Sequence, residues 1–123
     1  MLAAQLEYWR GQLADAPSLL ALPTDYSRPS RRTYRGRLWE QVLDKALTAE
    51  IRRFNLEHGS TSFMLLLAVL KLLLWRYSGQ DDISIGTPVA NRRHSETENL
   101  VGFFVNTLVL RSRIDEAVSF LRF

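Results

Sequence analysis

Ile85-Gly86-Thr87-Pro88-Val89-Ala90-Asn91-Arg92-Arg93 and, eight residues on, Val101-Gly102-Phe103-Phe104-Val105-Asn106-Thr107-Leu108-Val109-Leu110-Arg111 read as two extended segments joined by a polar loop that contains Glu96 and Glu98. The second alternates from Phe103 to Ile114, with Phe104, Asn106, Leu108, Leu110, Ser112 and Ile114 on one face and Phe103, Val105, Thr107, Val109, Arg111 and Arg113 on the other. Both faces begin apolar, so the pattern predicts a central strand covered on both sides until Arg111, where it meets solvent or an ionic partner. The first segment, opening at Ile83, has Pro88 near its close; proline cannot donate to a ladder and belongs at a strand end or edge.

Working back from these segments, the apolar positions of Phe63 to Trp75 run nearly all the way round a helix. Ser60 or Thr61 starts it and Gly79 ends it, and such a helix is expected to be buried on most sides. Thr48 is a candidate N-cap for a helix Ala49 to His58, stopped by Gly59, with Ile51 and Phe54 on its core face. Gly36 to Leu43 suits a strand. The stretch from Leu22 to Arg35 has turn formers and no period, so it reads as a surface connection. Leu2, Leu6, Trp9 and Leu13 form the stripe of a first helix that Pro17 terminates, and Asp115 is a candidate cap for a last helix, Glu116 to Phe123. These elements make an α/β chain of about three strands and three to four helices, with no internal repeat.

Composition narrows the function. The 123 residues are 46% hydrophobic and 24% charged, a globular balance of single-domain size. Zero cysteines exclude disulfides and thiolate metal sites and fit a reducing compartment, so the cytoplasm is the expected location. The N-terminus lacks the pattern of a secretory leader, and the apolar run broken by Lys71 is short of the ~20 residues a membrane span needs. The net charge is +3, with Arg28, Arg31, Arg32, Arg35 and Arg37 in one loop. That loop invites a nucleic-acid or acidic-partner reading, but it lacks the aromatic spacing of a stacking platform, and a solvated loop is the expectation.

Chemistry-bearing residues are sparse. Of two histidines, His58 falls in a last helical turn, where an imidazolium suits the dipole, and His94 lies in a polar loop beside Ser95 and Glu96. The glycines form no phosphate-cradling string, and Asp81-Asp82 reads as a solvated turn rather than a metal site, so no metal or nucleotide is expected. Asn106 stands out, because an amide on an apolar strand face would be buried and need partners. It either bridges neighbouring strands or a loop by hydrogen bonds, or orients substrate or backbone at a pocket edge. Arg111 either makes a salt bridge or holds a neighbouring active-site element in position.

The order of short strings adds a resemblance. Tyr8-Trp9, Leu22-Pro23-Thr24-Asp25 with Arg28-Pro29, Thr61-Ser62-Phe63-Met64, Tyr77-Ser78-Gly79-Gln80-Asp81-Asp82-Ile83 and Gly102-Phe103-Phe104-Val105-Asn106-Thr107-Leu108 follow one another collinearly. Together they resemble the condensation domain of nonribosomal peptide synthetases. The resemblance implies a fragment of a two-layer, chloramphenicol acetyltransferase-like fold, taken from the start of the second of two lobes that flank a tunnel. It also implies amide-bond formation between thioesters delivered on the phosphopantetheine arms of carrier domains, with an adenylation domain and the first lobe as further partners. The family's His-His-x-x-x-Asp-Gly motif does not occur in these residues, so no catalytic residue is expected and the chain by itself is expected to be inert. On the same resemblance, Asn106, Thr107, Gly102, Arg111 and Pro88 are candidates for shaping the tunnel wall or its floor. An epimerization, cyclization or stand-alone acyltransferase domain of the same superfamily is the alternative, and a carrier-docking module without catalysis is another.

Overall fold

Two glycines held in the left-handed region end the two long helices of the computed structural model, which describes residues 2–27, 29–31, 33–90, 92 and 95–123. Gly59 (φ 62°) closes α2 (Lys45–His58) and Gly79 (φ 67°) closes α3 (Ser62–Ser78), where a residue with a side chain would be strained. Their amides donate to the carbonyls of Asn55 and Trp75, using acceptors that a helix end leaves free. The other end of α3 starts where expected: Thr61 Oγ1 accepts from the Met64 amide at 3.2 Å. α1 spans Leu2–Gln12, short of Pro17.

α2 begins earlier than a Thr48 cap allows. Asp44 is the cap, its Oδ1 accepting from the Leu47 amide at 2.7 Å, while the Thr48 hydroxyl, already inside the helix, donates to the Asp44 carbonyl at 2.8 Å. A carboxylate on the helix end both accepts the bond and interacts well with the dipole, and Ala46 and Leu47 continue the helix at little cost. Ile51 and Phe54 are half-buried as expected.

The sheet is an antiparallel pair among the described residues, β1 (Asp82–Val89) and β2 (Asn106–Arg113). Ile83 pairs with Ser112, Ile85 with Leu110, Thr87 with Leu108 and Val89 with Asn106. Pro88, one residue from the end of β1, faces Thr107. At Gly86 the cross-strand approach is tight, since a Cβ there would stand 3.0 Å from Thr107 Cγ2 and the threonine side chain would have to shift. α3 packs on β1, and Ile83 and Ile114 are the buried apolar side chains among the described residues.

Four expectations fail, each because a partner is missing where the pattern assumed one. Phe103, Phe104 and Val105 stay out of β2, because β1 ends at Val89 and offers them nothing to pair with. Nor is β2 covered on both sides: Leu108 is exposed, and the ribbon has no third strand among the described residues. Gly36 to Leu43 forms no strand; it finds no ladder partner, and Leu38, Trp39 and Val42 lie open. α3, expected to be buried on most sides, exposes Phe63, Met64, Leu66 and Leu73. The fifth difference is local. Asp115 Oδ1 accepts from the Ala117 amide at 2.9 Å, which closes a turn instead of opening an α-helix, and a 3-10 helix follows at Phe120–Arg122.

Candidate functional site

The β1–β2 ribbon has a locked end and an open end. At the locked end, Arg111 Nε and Nη2 donate to the two carboxylate oxygens of Asp82 at 2.8 and 2.5 Å. Nη1 of the same guanidinium donates to the carbonyls of Gln12 and Ala14 at 2.9 and 2.7 Å, so one side chain ties the two strands to the end of α1. Both residues are half-buried, with side-chain exposures of 8% and 11%, so the bidentate geometry counts for more than in a fully exposed pair. The hydrogen bond from Arg111 holds the Asp82 carboxyl below its ordinary value; burial opposes this, and exposed Arg113 adds a weaker contact at 3.3 Å. The solvated-turn reading of Asp81-Asp82 therefore stands for exposed Asp81 and is wrong for Asp82. Of the two roles open for Arg111, the salt bridge is present.

The open end carries the other candidates. Asn106 starts β2 opposite Val89 and is exposed, not buried, and its amide makes no side-chain hydrogen bond among the described residues. A strand-bridging bond is not made among the described residues, and the face on which the amide would be enclosed is uncovered at this end. Thr107 and Pro88 sit beside it as an exposed cross-strand pair. Gly102 lies against the Phe104 ring, 3.0 Å from where a Cβ would stand.

Arg92, by sequence one charge among several in a polar loop, organises that loop. Its Nη1 donates to the carbonyls of Thr97, Glu98 and Leu100, and its guanidinium lies 4.5 Å above the Phe104 ring. No spacing rule links an arginine to carbonyls five to eight residues on, so the residue types carry no signal for it. His94, Asn91 and Arg93 are outside the described residues, as are Arg28 and Arg32 of the arginine loop. Arg31, Arg35 and Arg37 are exposed, as expected of a solvated loop. His58 ends α2 with its ring 4.4 Å from that of Phe54. Among the described residues no group of His, Cys, Asp or Glu could hold a metal ion, and no single helix is long and apolar enough to cross a membrane.

Lys71 is the second residue that sequence reading misses. It interrupts the apolar run of α3 and is nonetheless the buried residue of that helix, 4% exposed, with Nζ donating to Ser112 Oγ on β2 at 2.6 Å. Burial pushes its ammonium below the ordinary lysine value. Its position, between Leu67 and Trp75 on the face turned to the sheet, is readable from the helical period; that a lysine would occupy it without a carboxylate beside it is not.

Comparison with known proteins agrees across the whole chain. A family model described as the condensation domain matches residues 1–123. One of the linear gramicidin synthase subunits of Brevibacillus parabrevis is 47% identical over 120 residues, which is 98% of this chain and 2% of that protein. The X-domain from teicoplanin biosynthesis superposes with a TM-score of 0.91 at 26% identity, over 99% of this chain and 27% of the other. A four-domain nonribosomal peptide synthetase bound to AMP and glycine gives 0.84 at 29% identity, over 89% of this chain and 8% of the other. The chain thus spans a small part of each relative, and the α/β class, the order of elements and the collinear strings all lead to one assignment: it belongs to the condensation-domain family of nonribosomal peptide synthetases.

Proposed function

We propose that the chain works as the start of the second lobe of a condensation domain, which joins aminoacyl or peptidyl thioesters through an amide bond. The observation that carries this reading is the family match over residues 1–123. Carrier domains present the thioesters on phosphopantetheine, and an adenylation domain and the other lobe are the remaining partners; the four-domain synthetase among the structural relatives supports that setting. The cysteine-free sequence fits a cytoplasmic location.

Within such a domain the chain supplies wall and position, not proton transfer. Its residues contain no His-His-x-x-x-Asp-Gly string. What it offers is a ribbon pinned at Arg111 and Asp82, with Asn106, Thr107 and Pro88 exposed at the far end and a loop gathered by Arg92 beside them. An exposed amide on a fixed strand end can donate to and accept from a tethered substrate, and holding two reactants in register accounts for much of the rate in such a reaction.

The test is a segment exchange. Residues 1–123 replace the matching stretch of the linear gramicidin synthase from Brevibacillus parabrevis, and amide formation is measured from loaded carrier domains. The exchanged domain is expected to keep its activity, and the chain by itself to have none. Loss of product from an exchanged domain that still folds, or turnover by the chain alone, overturns the reading.

A further inference from the structure

Lys71 lines a partly open, mainly apolar pocket of about 280 Å³ together with Phe54, Met64, Leu67, Phe120 and Ser112. The ammonium has three donors, and Ser112 Oγ is its acceptor among the described residues; none of their carboxylates comes within 4.0 Å of it. A buried cation without a counter-ion is costly, and apart from His58, Ser60 and Ser112 the side chains around it are apolar. We propose that this cavity is a binding site for a small monocarboxylate with an apolar tail, the carboxylate meeting Lys71 and Ser112 and the tail lying along Phe54, Met64 and Phe120.

The pieces select that chemistry and reject its neighbours. Lysine presents a compact charge that takes a single carboxylate, and the Ser112 hydroxyl can turn its proton to the same anion once the ammonium shares its bond. An alcohol of equal length fills the apolar part and leaves the cation unpaired; acetate pairs the cation and leaves the walls empty. A dicarboxylate carries a second charge into a lining that has no second lysine or arginine to meet it. The volume lies just below the range usual for ligand pockets, about 300–1,000 Å³, which limits the tail to a short chain. This site is separate from the open end of the ribbon and does not depend on the amide-forming role.

Hexanoate, 1-hexanol and acetate, titrated by calorimetry and by NMR into the condensation domain that carries residues 1–123 by the segment exchange above, provide the test. Hexanoate is expected to bind about tenfold or more tightly than hexanol or acetate, a ratio corresponding to one charge-assisted contact, and to shift the resonances of Ser112 and Phe120. Lys71→Met should abolish that preference while leaving hexanol unchanged, and Ser112→Ala should weaken hexanoate severalfold with the ammonium still present. Equal binding of hexanoate and hexanol by the unaltered domain overturns the proposal without recourse to any variant. So does undiminished hexanoate binding by folded Lys71→Met. Failure of hexanoate to bind the folded domain overturns it as well.

Discussion

Arg111 satisfies three parts of the chain with one guanidinium, and Asp82 is the only one of the three that titrates. Its folded pKa is depressed, so its stabilising effect is complete above the unfolded carboxylate value and disappears as the pH falls through the folded one. Acid unfolding followed by circular dichroism should therefore show a loss of stability beginning near pH 4, the ordinary aspartate value being 3.8. Asp82→Asn should be less stable at neutral pH, because it leaves a buried guanidinium without its anion, and should show a shallower acid limb. An unaltered acid limb in that variant would mean that other carboxylates set it. Asn106 makes the opposite prediction. With no side-chain hydrogen bond among the described residues to lose, Asn106→Ala should leave the melting temperature within about a degree or two, the usual range of a surface change, and within an intact condensation domain should lower kcat by about tenfold if the amide orients a substrate. A fall in melting temperature with kcat preserved would return the residue to a structural role.

Elements whose ends are set by local chemistry are readable from the residues, and elements whose existence depends on a distant partner are not. Gly59 and Gly79 end helices and Thr61 starts one through bonds to residues three or four positions away; residue type alone points to the two glycines and narrows the start to Ser60 or Thr61. Asp44 escapes such a reading because Thr48 offers a competing cap with the same kind of side-chain oxygen, and only the bond to Leu47 decides between them. Asp44→Ala should consequently cost about 1 kcal/mol and fray the first turn of α2, whereas Thr48→Ala should cost less. Amide exchange at Leu47 and Thr48 reads this directly, and faster exchange in the Thr48 variant than in the Asp44 variant would restore the later start. The stretch from Gly36 to Leu43 is the counterexample: its strand-like composition is real, yet a strand is a pair, and composition says nothing of whether the pair is present.

At the scale of the whole molecule, hydrophobic pattern and burial part company. α3 carries apolar residues around most of its circumference, and Leu38, Trp39, Val42 and Leu108 add to the open surface, while Ile83 and Ile114 are the buried apolar side chains among the described residues. The pattern states what these positions require, and the requirement is met only when something covers them, which is why the family strings are readable and the exposure is not. The open end of the ribbon follows the same logic: residue type picks out Asn106, but its exposure depends on what lies beyond β2. Contiguous apolar surface on this scale drives association, and a thinly buried core lowers the cooperativity of unfolding. The 123-residue chain should self-associate at roughly micromolar concentration, bind a hydrophobic dye and melt over a broad range. Sedimentation velocity over a concentration series, with dye fluorescence alongside, checks this. A concentration-independent monomer that excludes the dye and melts sharply would mean that α3 and the ribbon bury one another far more completely in solution, and the exposed face described for α3 would then be wrong.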